Sequence, residues 1–474
     1  MVKVKKTKGS LEFMSKKATR RDVLKYTGLF MGSTVLGDGL LNSAKAFAED
    51  RSSFLLVPPF LGRPTQESIT VNLVAGDQEI VCHLKYGKVT ESKVASWQKT
   101  EDFIIKAKGV EETVLSHLEP GTHYKYQVFV LHGGSSVSQL ADTGSFRTQR
   151  IDHEPFNFAV ISDSHITPLK RDFNRFDVLR RASGSISVRK PEFMMMLGDN
   201  IQTFSSYHGG HLTDPEFGSW LYLVMRKGLG DLVSSTPAFL VNGNWEGENS
   251  WHPEKERGWA RQARMAFIPN PDNTTYPEGG SAEEDFYGFT WGNALCLVLN
   301  VTGYNSSDHR LNTLKGRADD WTLGKKQRDW LHGQLSLSDA KWKFLFMHHT
   351  VAGKGGDEIN SRYGRGGGRA FNVGEQSRLQ DMMKEFGVQI LFYGHDHVFT
   401  DIIVENIHYT CVGSAGAPWK FDTNDTGYKK YWTQSGYTWV EVKKDSVKVS
   451  FVKANSKNTK GEILHTYEIT ENAA

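Results

Sequence analysis

The chain has 474 residues, 38% hydrophobic and 12% aromatic, enough for a large buried core and a length typical of about three domains. So many core-forming residues exclude low-complexity disorder, and a mean hydropathy of −0.46 with no long apolar run beyond the N-terminus argues against a membrane-spanning body. The net charge of +3 is carried by the first 48 residues, which hold ten Lys and Arg against three Asp and Glu; the rest has 47 basic against 51 acidic residues, net −4, so a basic nucleic-acid scaffold has no support. Three cysteines, Cys82, Cys296 and Cys411, are too few and too dispersed for a disulfide framework or Cys-rich zinc module.

Residues 1–48 read as a leader. Thr19-Arg20-Arg21-Asp22-Val23-Leu24-Lys25 precedes a weakly apolar, Gly-rich stretch over 26–41, then Ala44-Lys45-Ala46 and Ala46-Phe47-Ala48. Paired arginines, apolar stretch and small-residue cleavage pattern in that order resemble a twin-arginine export signal. The alternative is an amphipathic helix with a basic start. Asp38 interrupts the apolar stretch, and Met14 offers a second start. The expectation is passage through the twin-arginine export machinery, a periplasmic or extracellular location and no membrane span after processing.

From Ser68 to Thr148 apolar residues alternate with period two, as in Ile69-Val71-Leu73 and Ile80-Cys82-Leu84-Tyr86, predicting half-buried strands. Leu118-Glu119-Pro120-Gly121-Thr122-His123-Tyr124-Lys125-Tyr126 resembles the tyrosine corner of fibronectin type III-like sandwiches, where a Tyr hydroxyl bonds back to the backbone. An all-β domain over 55–150, structural rather than catalytic, is expected.

After Pro155 short apolar strands at Phe156–Ile161, 193–197, 238–241, 295–299, 344–347 and 389–393 alternate with helical stretches at 173–181, 325–335 and Glu375–Glu385, predicting an α/β unit over 151–474 that ends in strands at 407–411, 437–442, 447–452 and 463–469. Residues 246–284, rich in Trp, Pro and Asn, read as a long loop.

Five polar clusters follow five of these strands: Asp163-Ser164-His165, Gly198-Asp199-Asn200, Gly243-Asn244-Trp245-Glu246, His348-His349 and Gly394-His395-Asp396-His397. Strand C-termini in an α/β sheet share one edge, where ligands bind. Each cluster alone has an ordinary reading as a turn or a satisfied core histidine. Together their O and N donors, with no Cys, suit hard-to-borderline divalent metals. Glycine before the ligand, three times over, fits backbone turning sharply beside metals.

These motifs, from about Phe156 to Val412, resemble the calcineurin-like metallophosphoesterase superfamily, and the sandwich in front gives a layout similar to purple acid phosphatases. The resemblance implies a four-layer αββα sandwich behind the fibronectin type III-like domain. It implies two divalent or trivalent ions (Fe, Mn or Zn), one held by Asp163, His165, Asp199 and His397. The other would be held by the bridging Asp199 with Asn244, His348 and His395. It further implies hydrolysis of a phosphorylated small molecule by a metal-bridging hydroxide. Two positions depart from the pattern. Gln202 stands where purple acid phosphatases carry a Tyr three residues after the bridging Asp, and Trp245 where the family usually has a His that helps protonate the leaving group or position the phosphate. Indole has one N–H and no acid function at neutral pH; candidate replacements are His208, His211, His252, His349 and Glu246. Past His349, Lys354-Gly355-Gly356, Arg362 and Arg365-Gly366-Gly367-Gly368-Arg369 form either a solvated loop or one that closes on phosphate through Arg365 and Arg369. Hydrolysis of phosphomonoesters is the leading expectation. A phosphodiesterase acting on nucleotides or phospholipid headgroups, and a metal-bound binding protein without turnover, are the alternatives.

Overall fold

The computed structural model describes residues 54–131, 137–167, 173–203, 215–249, 253–301, 323–348, 375–418, 428, 430–454 and 459–470. The leader, His208, His211, His252, His349, Arg362, Arg365 and Arg369 lie outside them.

The alternating segments fold first into two sheets. Strands β1 (Phe60–Gly62), β2 (Ile69–Val74) and β7 (Val110–Leu115) form one. The other is built around β3 (Ile80–Thr90), which pairs with β4 (Lys93–Val94), β5 (Gln98–Lys99), β6 (Phe103–Ile105) and β8 (His123–Leu131); β9 (Gln139–Arg147) closes it. Val71, Leu73 and Leu115 from one sheet and Cys82, Leu84, Tyr126 and Val128 from the other share one core, as period-two alternation requires of a sandwich. The tyrosine corner is present: the Glu119 N–H donates to the Tyr124 hydroxyl at 3.0 Å.

Two six-stranded sheets follow. The first has the order β12-β11-β10-β19-β20-β21. Strands β10 (Phe156–Ile161), β11 (Phe193–Met196) and β12 (Ala238–Leu240) run parallel. Antiparallel β19 (Gly436–Val442), β20 (Ser446–Lys453) and β21 (Glu462–Thr470) extend it. The second has the order β13-β14-β15-β16-β18-β17. In it β14 (Ala294–Val298), β15 (Trp342–Phe346), β16 (Ile390–Tyr393) and β18 (Ile407–Val412) are parallel. Antiparallel β13 (Tyr287–Trp291) and β17 (Phe399–Val404) form its edges.

Successive residues of a strand face opposite sides, which explains why the central strands are apolar throughout. Phe158 and Val160 of β10 and Phe193 and Met195 of β11 point to the other sheet, meeting Phe289, Phe344, Phe346 and Phe392. Ala159, Ile161, Met194 and Met196 point outward under α1 (Phe173–Arg189), α2 (Pro215–Leu229), the short α3 (Leu232–Ser235) and α4 (Glu254–Phe267). On the far side α5 (Gly324–Leu337) and α6 (Glu375–Glu385) cover the second sheet. This is the four-layer αββα arrangement. The three cysteines, Cys82 in the sandwich and Cys296 and Cys411 in the layered unit, are buried and free, and no helix of the described residues is long and apolar enough to cross a membrane.

Helix α4 corrects the reading of 246–284 as a loop. Its buried face is Ala260, Ala263, Arg264, Ala266 and Phe267, small residues and an arginine that give a weak apolar signal. Burial costs the Arg264 charge, but Glu248 offsets this by accepting from Nε at 2.5 Å and Nη2 at 3.1 Å. Helix α1 likewise runs past residue 181, because Ser183 and Ser185 are buried and the Ser183 hydroxyl bonds the Leu179 carbonyl.

A second arginine joins the sandwich to the layered unit. Arg226 on α2 is fully buried; Nη1 donates to Asn72 Oδ1 at 2.5 Å, and Nη2 to the carbonyls of Pro58 (2.7 Å) and Asn72 (3.0 Å). Burial lowers its pKa to about 9. Asn72 in turn donates to the Ala266 carbonyl of α4 at 2.8 Å. Arg226→Met removes these donors and strands buried acceptors, with an expected loss of about 3 kcal/mol. A denaturant midpoint shift at constant m measures it; an unchanged midpoint would show that the junction does not depend on this guanidinium.

Candidate metal centre

Polar groups collect where parallel strands end. The loop after β10 carries Asp163 and His165, that after β11 Asp199, that after β12 Asn244, that after β15 His348 and that after β16 His395 and His397. The first four come from one sheet, the last three from the other. Five of the seven hold left-handed backbone: Asp163 (φ 56°), His165 (47°), Asp199 (51°), His395 (73°) and His397 (57°). Non-glycine residues adopt this region rarely and at a cost of order 1–3 kcal/mol each. Main-chain bonds hold the loops together: the His165 N–H reaches the Asp199 carbonyl at 2.8 Å and the Gly394 N–H the His348 carbonyl at 3.0 Å. Of the three cluster glycines only Gly198 has positive φ (85°). Gly394 is needed for close approach instead, since a Cβ there would sit 2.0 Å from Ser162 Oγ.

The side chains form two groups. One ligand atom each from Asp163, His165 and His397 lies within 4.8 Å of the other two, and Asp199, His348 and His395 form a second such set. Asn244 joins the second, its Oδ1 3.2 Å from His348 Nε2. Asp199 stands between them: Oδ2 is 3.4 Å from His165 Nε2 and 3.1 Å from His348 Nε2, while Oδ1 accepts the Trp245 main-chain N–H at 2.8 Å.

The tautomers show what the site is built for. His348 Nδ1 faces the Leu197 carbonyl at 2.6 Å and His397 Nδ1 the Pro418 carbonyl at 2.8 Å. Carbonyls only accept, so each Nδ1 carries its proton and each neutral Nε2 turns a lone pair inward. His397 Nε2 then meets His165 Nε2 at 3.0 Å, and His348 Nε2 faces the oxygens of Asn244 and Asp199. Asp163 Oδ1 is buried and accepts no hydrogen bond. Converging acceptors in a dry site require positive charge among them. Without it protons must serve: burial opposes a charged His348, but Asp199 outweighs burial and raises its pKa to about 9. His165 is raised in the same way, against burial, by the facing carboxylates of Asp163 and Asp199. Burial also works against the Asp163 and Asp199 carboxylates, yet the facing imidazoles, His397 and His348 foremost, hold both below the usual range. The donor set therefore fits two cations, and these two clusters form a candidate dinuclear metal site.

Glu246 is placed otherwise than expected for a leaving-group acid. It is fully buried, and its carboxylate accepts the main-chain N–H of Asp199 (2.9 Å), Asn200 (2.8 Å) and Gly243 (2.8 Å). Burial first and Asp199 second raise its pKa to about 7, but its oxygens face backbone; its work is to fasten the Asp199 loop to the Asn244 loop. An acid lying between Gly243 and Gly247 was the available sign of such a role. Asp396, between His395 and His397, accepts from the Tyr428 hydroxyl. Trp245 is half-buried with its indole edge-on to His165, ring centroids 6.0 Å apart.

A family model for the calcineurin-like phosphoesterases matches residues 156–399, just over half of the sequence; the chain belongs to this family. Among solved structures, that of PhoD superposes with a TM-score of 0.66 at 16% identity, covering 89% of this chain and 91% of that one. The purple acid phosphatase PPD1 from yellow lupin (Lupinus luteus) seeds gives 0.62 at 14% identity, covering 87% and 74%. At these identities the likeness is one of fold. No curated protein matches in sequence.

Proposed function

We propose that this chain is an exported, dinuclear metal-dependent phosphatase that hydrolyses phosphomonoesters. The observation that carries the reading is the inward-facing set of lone pairs around Asp199 Oδ2. In this reading Asp163, His165, Asp199 and His397 hold one ion, and Asp199, Asn244, His348 and His395 the other, with Fe, Mn or Zn as candidates. Bound there, the ions would supply a nucleophile from water at moderate pH and draw charge from the phosphoryl oxygens. The chain's own part is positional. Leu197 and Pro418 carbonyls fix two imidazoles by their Nδ1 protons, Glu246 holds two loops in register, and Trp245 forms a wall beside His165. Arg365 and Arg369 are assigned to phosphate contact, and the chain is divided into a leader (1–48), a sandwich (55–150) and a metallophosphoesterase unit (151–474).

The test is elemental analysis of the purified protein followed by phosphate release from an aryl monoester and an aryl diester, each with and without chelator. Two ions per chain and chelator-sensitive release, faster from the monoester, are expected. Preference for the diester would make the protein a phosphodiesterase, and bound metal without turnover a binding protein. Export is tested separately. Replacing Arg20 and Arg21 by Lys should leave the precursor in the cytoplasm, and normal export of that variant would rule out the twin-arginine route.

A further inference from the structure

A loop of small residues, Gly413-Ser414-Ala415-Gly416-Ala417-Pro418, leaves β18 in the second sheet and crosses to the first. Ala415 is buried in the core between the first sheet and its helices, and the Ser414 carbonyl accepts the Gly436 N–H at the start of β19 at 2.9 Å. On the way the loop grips the segment that carries Asp163 and His165. The Ala415 N–H donates to the Ser162 carbonyl at 2.8 Å, and the Ala417 N–H to the Asp163 carbonyl at 2.9 Å. Gly416 has no room for a side chain, since a Cβ there would lie 2.2 Å from the Ser164 carbonyl oxygen and 2.7 Å from the Ser164 Cα. Pro418 then turns its carbonyl to His397 Nδ1 at 2.8 Å. The buried Ser414 hydroxyl ties the turn together. Its oxygen lies 2.6 Å from the Ala417 carbonyl and 3.0 Å from the Asp163 carbonyl, and it accepts the Gly416 N–H at 3.2 Å.

We propose that Ser414 is a positioning residue for one of the two ions only, the one assigned to Asp163, His165 and His397. The proposal rests on the dinuclear metal reading above. Among the described residues, the hydrogen bonds from Ser414–Pro418 to the ligand segments fall on that group, at Ser162, Asp163 and His397. The other group has separate supports, the Leu197 carbonyl for His348 and the Glu246 carboxylate for the Asp199 loop. Asp163 needs support because its φ of 56° is left-handed. The Ala417 N–H and the Ser414 hydroxyl together hold the peptide that follows it, and so the backbone that aims its buried, unbonded Oδ1. A hydroxyl carries one proton and two lone pairs, so Ser414 can donate to the carbonyls and accept from Gly416 at once. Without it the Asp163 and Ala417 carbonyls lose a donor, and the turn that brings the Pro418 carbonyl to His397 slackens. Hydrogen bonds of this kind behind metal ligands set affinity by about 10- to 100-fold.

The experiment titrates the metal-free full chain with cobalt(II), following equilibrium dialysis and the visible absorption of the bound ion, which reports its ligand geometry. In the intact chain Ser414→Ala should weaken one cobalt affinity about tenfold and leave the other within about twofold. Two single-ion backgrounds assign the loss: it should recur with His348→Ala, where the Asp163 group is left, and be absent with His397→Ala, where the other group is left. A general loosening of the fold would weaken both ions. Equal losses at both ions, no loss at either, or a loss that appears in the His397→Ala background would overturn the proposal. Where Ser414→Ala does not fold, Ser414→Cys, similar in size and a weaker donor, decides by the same criteria. Two ions bound without turnover of any ester would count against the phosphatase reading alone, and the Ser414 comparison would still decide. A wild type that takes up no cobalt would overturn the proposal together with the metal reading.

Discussion

Asp199→Asn is expected to lower metal content from two ions per chain towards none and to cut phosphate release by ~10³-fold or more. The reason is its position. Asp199 Oδ2 faces His165 Nε2 and His348 Nε2 at 3.4 and 3.1 Å, so one oxygen faces both groups of side chains. Asparagine keeps the size but removes a charge from each ion's surroundings. The Trp245 N–H bond to Oδ1 and the Glu246 bonds to the loop keep the backbone in place, so the loss should be of metal rather than of fold. His397→Ala, which touches one group only, should release mainly one ion. Elemental analysis and a circular dichroism spectrum on each variant provide the check. An Asp199→Asn protein holding two ions at full activity would contradict the bridging assignment.

The second large effect concerns the leaving group. As the P–O bond breaks, charge builds on the departing oxygen, and an alkoxide needs a proton that an aryl oxide such as nitrophenolate does not. A positioned general acid is worth ~10²–10⁴-fold. Trp245 cannot supply that proton, and the geometry withdraws Glu246, whose carboxylate is turned to three backbone N–H groups. Aryl phosphates should therefore be hydrolysed faster than glycerol or sugar phosphates by a factor in that range. Trp245→His should narrow the gap by speeding the alkyl esters. A wild type that treats both alike would assign the proton to another residue, with His208, His211 and His252 next to replace. A Trp245→His variant that slows both equally would instead show that the indole binds substrate.

The parallel strands were legible because burial on both faces leaves a continuous apolar run, and each run stops where its polar cluster starts: Phe156–Ile161 before Asp163 is read to the residue. The convergence of Asp163 with His397, 234 positions later, followed from the rule that strand ends share an edge. Elements whose buried face is not apolar were less legible. Helix α4 hides behind Arg264, and the end of α1 behind Ser183 and Ser185. Strand β13, an edge strand as long as its neighbours, was hidden because Gly288 and Thr290 interrupt its apolar run. Glu246 shows a different limit. Its residue type suggested proton transfer, and only the three N–H groups around it show that it holds backbone.

The split of the ligands between two sheets has a consequence for assembly. Asp163, His165, Asp199 and Asn244 descend from one sheet and His348, His395 and His397 from the other, with an aromatic layer of Phe158, Phe193, Phe346 and Phe392 between. A metal pair seated there would act as a clasp, cross-linking segments more than 200 residues apart and closing long loops of the chain. Ions that enter only the folded form would add stability set by their concentration relative to their affinity, and would help to hold five ligand residues in their left-handed backbone. The thickness of the aromatic layer would then gauge how closely the ligands of one sheet approach those of the other. Thinning it, far from any phosphate, would be felt first as a looser grip on the ions.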